Sequence, residues 1–377
     1  MNAAFRARWA RSFSTSRPRS NRAIVYNQNG NPAEVLSAMT FPKLDPPRPS
    51  TVNVKFLLSA VNPADINVIE GVYPAKPQLV QGAGSEGVYI GGNEGLAIVT
   101  AVGEGVDSVK LNDWVISTKA QAGTWTAVKN VSAEELLKIP NPEGLSEVHG
   151  ATMTVNPPTA YNMLNEFIDL KPGDWVVQNG ANSAVGQAAI QIAAAQGLKT
   201  INFVRNRDNI ADLVQRLETL GANKVFTYDD LKDRELRKKV ATLTGNAEIR
   251  LGLNCVGGPE TTQMVKLLGN NAHLVSYGAM SKQPLSFPTS LFIFKNLTAH
   301  GFWQHGWYQQ RSRADREDLM RKLVDLTSQG KLKEPEHKVV IVPAYESDEE
   351  ATARIRDVFK TAQSHGKKIL LKLESSS

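Results

Sequence analysis

Two groups of residues in this 377-residue chain suit one ligand chemistry. Asn179-Gly180-Ala181-Asn182-Ser183-Ala184-Val185-Gly186 reads as a tight turn of small residues, and Arg205-Asn206-Arg207 follows after one further apolar run. A turn of this kind that opens a helix presents unpaired N–H groups and the positive end of the helix dipole, which suit a phosphate. The glycine fingerprint is incomplete. With Gly186 as the third glycine of G-x-G-x-x-G, Ala181 and Ser183 stand where the first two belong. An ordinary tight turn in some other α/β domain is the alternative. The arginines sharpen the case. An NAD site places an acid about 20 residues beyond the turn to hold the ribose hydroxyl. Here Arg205 and Arg207 come first and Asp208 only after them. Guanidiniums grip a 2′-phosphate with charge-assisted hydrogen bonds, so the pair favours NADPH over NADH; the competing reading is a solvated strand end.

The flanking pattern supplies the elements that must hold these groups. Trp175-Val176-Val177 reads as a strand. After the turn, Ala188, Ile190, Ile192, Ala193 and Ala195 make an apolar helix face that ends at Gly197, and Thr200–Val204 is the next parallel strand. Alternation continues to Trp303. Asp208 caps a predicted helix with Ile210, Leu213, Leu217 and Leu220 inward, and strands follow at Val225-Phe226, Ile249–Asn254 and His273–Tyr277. Repeated βα units with apolar strands predict a parallel sheet covered on both faces.

Before this region, from Ala23 to about Asn156, the pattern is of short strands: Ala23–Tyr26, Val52–Phe56 and Ala97–Thr100. Asn62-Pro63 opens a short helix there, with Asn62 as N-cap, Ile66 and Ile69 buried and Gly71 at its end. After it, the C-terminal part returns to a helix near Arg313–Gln329, a strand at Val339–Val342, a helix to about Ala362 and a strand at Ile369–Leu373.

Composition narrows the function classes. The first 22 residues hold Arg6, Arg8, Arg11, Arg17, Arg19 and Arg22 and no acid, with Phe5, Trp9 and Phe13 four apart. That is the pattern of an organelle transit peptide, with a basic nucleic-acid-binding arm as the alternative. The chain has 43 Lys+Arg and 37 Asp+Glu; without those six arginines the two are equal. The pI near 9.2 therefore belongs to the leader, and nucleic acid is not expected as the main partner. No apolar run of roughly 18 residues is present to span a membrane. Cys255 is the single cysteine, which excludes an internal disulfide and multi-cysteine zinc sites. His300 and His305 do not have the spacing of a helical metal-ligand pair.

Taken together, the chain resembles the mitochondrial 2-enoyl thioester reductases of the medium-chain dehydrogenase/reductase superfamily. The resemblance rests on Asn62-Pro63-Ala64-Asp65-Ile66-Asn67, Gly71-Val72-Tyr73-Pro74, Gly91-Gly92-Asn93-Glu94-Gly95 and Val155-Asn156-Pro157-Pro158-Thr159-Ala160-Tyr161. It also rests on Asn182–Gly186, Arg205-Asn206-Arg207, Asn254-Cys255-Val256-Gly257-Gly258 and Gly301-Phe302-Trp303. It covers essentially all the chain after the leader.

The resemblance implies an α/β fold in which a doubly wound Rossmann sheet is inserted into a β-rich GroES-like catalytic domain. Its implied bounds are a targeting peptide over 1–22, a catalytic domain over 23–160 completed by 305–377, and an NADPH domain over 161–304. It makes Tyr73 the proton donor. The cofactor-contacting residues it implies are Asn156, Asn182, Ser183, Ala184, Val185, Arg205, Asn206, Arg207, Tyr277, Gly278, Ala279, Met280, Phe302, Trp303, Gln304 and Lys367, with Lys368 the alternative to Lys367. No metal is implied, because Asn93-Glu94 stands where zinc-dependent relatives carry His-Glu. The expected reaction is NADPH-dependent reduction of a 2-enoyl thioester, carried by acyl carrier protein, by a homodimer in the mitochondrial matrix. A quinone reductase on the same fold is the enzymatic alternative, and it needs no proton-donating Tyr73. A catalytically silent NADPH-binding or nucleic-acid-binding protein on this scaffold is the third reading.

Overall fold

A computed structural model describes residues 21–80, 87–140, 144–361 and 367–375. Most of the expected leader, from Met1 to Ser20, lies outside the described residues. Asn21 and Arg22 do not: they begin the Asn21–Tyr26 strand. Arg22 is buried there, with Nε 3.2 Å from Asp348 Oδ1 and Nη1 donating to the Pro343 carbonyl at 2.8 Å. Burying a guanidinium requires such partners, so Arg22 ties the first strand to the C-terminal segment.

The alternating region forms one six-stranded parallel sheet. Its order is Lys224–Thr227, Lys199–Val204, Trp175–Gln178, Ile249–Asn254, His273–Ser276, Thr298–Gly301. Chain order therefore reverses beside Trp175–Gln178, whose neighbours are Lys199–Val204 and Ile249–Asn254. In an open sheet of this kind ligands bind beyond the carboxyl ends of the strands at the reversal point. The strands are apolar because helices cover both faces; Val177, Ile201, Phe203, Leu251 and Leu274 are fully buried.

The β-rich half contains a four-stranded and a seven-stranded sheet. In the larger one, the C-terminal strand Lys368–Leu373 lies antiparallel to Thr51–Ala60, with Leu370 opposite Ala60 and Leu371 opposite Ser59. The chain thus leaves this half, builds the parallel sheet and returns, as the resemblance implied. Continuing that register sets Lys368 against Asn62. Buried residues from both halves, including Leu58, Leu96, Met163, Ala188, Leu323 and Leu370, share one core cluster.

Most predicted elements form close to their expected bounds. The predicted helix after the second parallel strand runs Ile210–Thr219, but its N-cap position is Asn209 rather than Asp208, and no side-chain cap is made there.

Candidate active site

Tyr73 is set by the helix before it. In the Pro63–Ile69 helix, the Asp65 carboxylate accepts the Asn62 backbone N–H at 2.7 Å, closing the first turn. The last carbonyls, of Val68 and Ile69, accept hydrogen bonds from Asn29 Nδ2 at 3.1 Å each. Gly71 leaves the helix at φ 78°, a conformation that suits glycine. Pro74 then restricts Tyr73 to extended backbone. The Tyr73 ring stands edge-on to Trp303, at 6.4 Å between centroids and 71° between planes. Trp303 Nε1 donates to the Tyr73 hydroxyl oxygen at 2.8 Å. An indole nitrogen only donates, so Tyr73 accepts with a lone pair and its own proton stays free. Burial raises the Tyr73 pKa, opposed by the Trp303 hydrogen bond, and the nearby Asp65 charge adds to the rise. Burial and Asp65 thus both favour the protonated phenol.

Behind this helix lies a buried polar network. Asn62 Nδ2 donates to Glu94 Oε2 at 2.8 Å, and Asn62 Oδ1 accepts from Asn156 Nδ2 at 3.2 Å and from Lys368 Nζ. The Thr154 and Val155 backbone N–H groups reach Glu94 Oε1 at 2.9 and 2.8 Å, and Asn93 Nδ2 reaches Asp65 Oδ1 at 2.7 Å. Two carboxylates and one ammonium share this volume, with Lys368 Nζ 4.0 Å from Glu94 Oε2. Burial pushes the Asp65 carboxyl up to about 6, against its hydrogen bonds and Lys368. Burial pulls the Lys368 ammonium down, against Glu94 and Asp65. Lys367, the first-choice lysine of the resemblance, is instead exposed. Strand alternation explains the difference: successive side chains point to opposite faces, and the inward one is Lys368.

The phosphate turn forms as its residues require. Ser183 caps the Ala184–Ala195 helix, its hydroxyl accepting the Gly186 N–H at 3.1 Å. A Cβ on Gly186 would lie 2.7 Å from the Ala181 Cα and from the Ala181 and Gly180 carbonyl oxygens, so only glycine fits. Asn182 Oδ1 accepts from Arg216 Nη2 at 3.2 Å, and the Gly180 N–H donates to the Tyr228 hydroxyl at 2.9 Å. Arg205, Asn206 and Arg207 are exposed immediately past the Lys199–Val204 strand. Asn206 bonds Asp229 at 3.1 Å, whereas neither arginine has a hydrogen-bond or ion-pair partner among the described residues.

Because all six strands are parallel, their carboxyl ends gather the remaining predicted positions at one edge. Tyr277 to Met280 follow His273–Ser276, and Phe302 to Gln304 follow Thr298–Gly301. The Tyr277 hydroxyl is buried beside Cys255 and Ser183 without a hydrogen bond of good geometry, and burial holds its pKa well above the usual phenol range. Gly278, Ala279 and Met280 are exposed, and Phe302 packs edge-on against Phe167 at 5.8 Å. Gln304 is buried; Oε1 accepts from Asn162 at 3.1 Å, and Nε2 makes no hydrogen bond of good geometry among the described residues. Asn156 and Ala184, from opposite halves, line one cleft with His149, Gln187 and Lys333. These features fit a bound dinucleotide: a helix N-terminus with a glycine cradle, exposed guanidiniums past the next strand and a cleft reaching from Ala184 to Asn156.

Residues 184–324 match the family described as zinc-binding dehydrogenase, and residues 48–141 match the alcohol dehydrogenase GroES-like domain. The human mitochondrial enoyl-[acyl-carrier-protein] reductase is 42% identical over 346 residues, covering 92% of this chain and 89% of its own. That of Caenorhabditis elegans is 42% identical over 321 residues, covering 85% and 88%. The chain belongs to the mitochondrial 2-enoyl thioester reductases of the medium-chain dehydrogenase/reductase superfamily. Among solved structures, the Etr1p complex with NADP and crotonyl-CoA superposes with TM-score 0.86 at 36% identity, over 94% of this chain and 99% of that one. The Etr1p/Etr2p heterodimer of Candida tropicalis gives 0.86 at 35% identity over the same shares. Escherichia coli quinone oxidoreductase shares the fold, with TM-score 0.71 at 22% identity.

The first family description names zinc, and the residues present do not fit that ion. Asn93 is engaged by Asp65 and by the Gln121 N–H at 2.6 Å, both Glu94 oxygens are occupied, and Cys255 lies under the phosphate turn. Among the described residues no three His, Cys, Asp or Glu side chains converge.

Several residues of the site escaped sequence reasoning. Asn62 was read as a helix cap, yet its side chain joins Glu94, Lys368 and Asn156. Tyr228 and Arg216 gave no local signal at all. His300 meets His273, with Nε2 and Nδ1 2.9 Å apart, across neighbouring parallel strands rather than pairing with His305.

Proposed function

We propose that this chain is an NADPH-dependent reductase of trans-2-enoyl thioesters in the mitochondrial matrix, with Tyr73 as its proton donor. The reading is carried by the Tyr73–Trp303 contact, which joins the two halves and leaves the phenol proton available. Its relatives are mitochondrial enoyl-[acyl-carrier-protein] reductases, and its structural neighbours hold NADP with crotonyl-CoA. NADPH, when bound, supplies hydride for the β-carbon of the substrate. Ser183, the N–H groups of the following helix turn, Arg205 and Arg207 suit its phosphates, and Asn156 and the 277–280 and 302–304 loops suit the rest. Tyr73 gives its proton to the α-carbon of the resulting enolate, and its hydroxyl hydrogen-bonds the developing charge. The Asn62–Glu94–Lys368 network keeps the Tyr73 helix and Asn156 in fixed relation. Acyl carrier protein is the proposed carrier, in line with the relatives' activity.

The test is NADPH oxidation by the parent and Tyr73→Phe with crotonyl-CoA and with quinones. Tyr73→Phe is expected to keep its fold and NADPH affinity while thioester turnover falls roughly 10²–10⁴-fold. Near-parental turnover would remove Tyr73 as the acid. A parent that reduces quinones and no thioester would replace the reading with a quinone reductase.

A further inference from the structure

We infer that Arg216 is a positioning residue for the cofactor's phosphates, acting through the side-chain amide of Asn182; this rests on the cofactor reading above. Arg216 lies on the Ile210–Thr219 helix of the parallel-sheet half, and its guanidinium divides between two partners. Nη2 donates to Asn182 Oδ1 at 3.2 Å, and Nη1 donates to Glu336 Oε2 at 2.6 Å. Glu336 belongs to the C-terminal return, and its carbonyl accepts the Lys368 backbone N–H at 2.7 Å. One arginine therefore connects the phosphate turn to the strand that delivers Lys368 to Asn62. Its Nε is buried without an acceptor among the described residues, although the two Nη groups are paired.

The consequence lies in how an amide meets an anion. Asn182 sits one residue before the helix N-cap Ser183. Its side chain has one accepting and one donating end, and the two exchange by a flip of the amide. A guanidinium can only donate, so it holds the oxygen end and leaves the NH₂ end, which makes no hydrogen bond among the described residues, for an acceptor. A phosphate is such an acceptor. Without Arg216 the amide is free to turn its oxygen toward the anion, which repels it. Glu336 fixes the arginine from the other half of the molecule.

The experiment titrates NADPH against the full chain by fluorescence, for the parent, Arg216→Ala, Asn182→Ala, their double variant and Glu336→Gln, with melting curves and steady-state kinetics. Arg216→Ala is expected to weaken NADPH about three- to tenfold and to raise its KM with kcat at saturation unchanged. Its melting temperature should move by about 2 °C or less, since the side chain is partly exposed. The double variant should bind no more weakly than Asn182→Ala, because one effect runs through the other. Glu336→Gln should shift affinity in the same direction by less. Unchanged NADPH affinity in Arg216→Ala, or a double variant that sums the two single losses, overturns the role. A parent that binds no NADPH overturns the cofactor reading, and this inference with it.

Discussion

Three side chains show how single residues acquire chemistry here. Tyr73 suits the proton-donor role proposed above because Trp303 donates to its oxygen, a contact that lowers its pKa against the rise from burial. No acceptor among the described residues takes its proton. Arg205 and Arg207 are exposed at the strand end, and no carboxylate among the described residues pairs with them. Each guanidinium–phosphate hydrogen bond contributes about 1.5–3 kcal/mol. Replacing either by Ala should therefore weaken NADPH about tenfold to a hundredfold and leave NADH nearly unaffected. Calorimetric titration of the two cofactors decides this, and equal NADPH affinities in parent and variants would end the assignment. His305 is the opposite case, a titratable group with no hydrogen-bond or ion-pair partner among the described residues. It is 7% exposed beside Trp303 and Tyr308, and burial pulls its pKa from 6.5 down to about 4. A base whose folded pKa is depressed stabilises the fold above its unfolded value, and that contribution is lost as pH falls from about 6.5 through about 4. By pH 4 the loss is about 3 kcal/mol. Thermal melting between pH 7 and 4 should show a shallower decline for His305→Phe than for the parent; parallel curves would show that His305 does not control acid stability.

At the scale of elements, the decisive unit is the strand, turn and helix from Trp175 to Ala195. Its geometry depends on Gly186, where an added Cβ meets backbone atoms that cannot rotate away. Gly186→Ala should cost about 1–3 kcal/mol of stability and widen the turn, reducing NADPH affinity by roughly tenfold or more. A melting curve with an NADPH titration reads both, and parental values for both would show that the close approach is not needed. The Pro63–Ile69 helix plays the matching part for Tyr73. Its first turn is closed by Asp65, its last carbonyls by Asn29, and its N-cap residue Asn62 is anchored in the Glu94–Lys368 network. A phenol on an unanchored loop would lack the fixed direction that proton transfer needs.

Across the whole molecule, the halves share one core cluster, and the open side of the parallel sheet ends at Thr298–Gly301. That edge strand lies beside an apolar surface: in the Thr289–Lys295 helix, Phe292, Ile293 and Phe294 are 40%, 66% and 79% exposed. An unpaired edge with neighbouring exposed apolar side chains suits a second copy of the chain, in keeping with the homodimer that the resemblance implies. Each such side chain contributes about 1.5–3 kcal/mol when buried. Sedimentation should show a dimer for the parent and monomers that still bind NADPH for Ile293→Lys/Phe294→Lys. A monomeric parent would end the proposal.

Much of this protein was already present in its one-dimensional pattern. Apolar periodicity located the parallel strands and their helices, because each element must bury one face whatever its neighbours are. The Asn182–Val185 turn and the exposed Arg205 to Arg207 segment were legible because a helix start and a strand end are local features. Tyr73 was legible as a motif, but its partner Trp303 lies 230 residues away, and only folding brings the indole to the hydroxyl. The same holds for Lys368: two adjacent lysines look alike in sequence, and the antiparallel register of the last strand with Thr51–Ala60 selects the one turned toward Asn62. Asn62, Glu94 and Asn156 meet only through folding, and Arg216 and Glu336 only across the two halves. Local pattern determined what each segment becomes; long-range packing decided which side chains meet, because a buried polar group takes the partner that the fold places within reach.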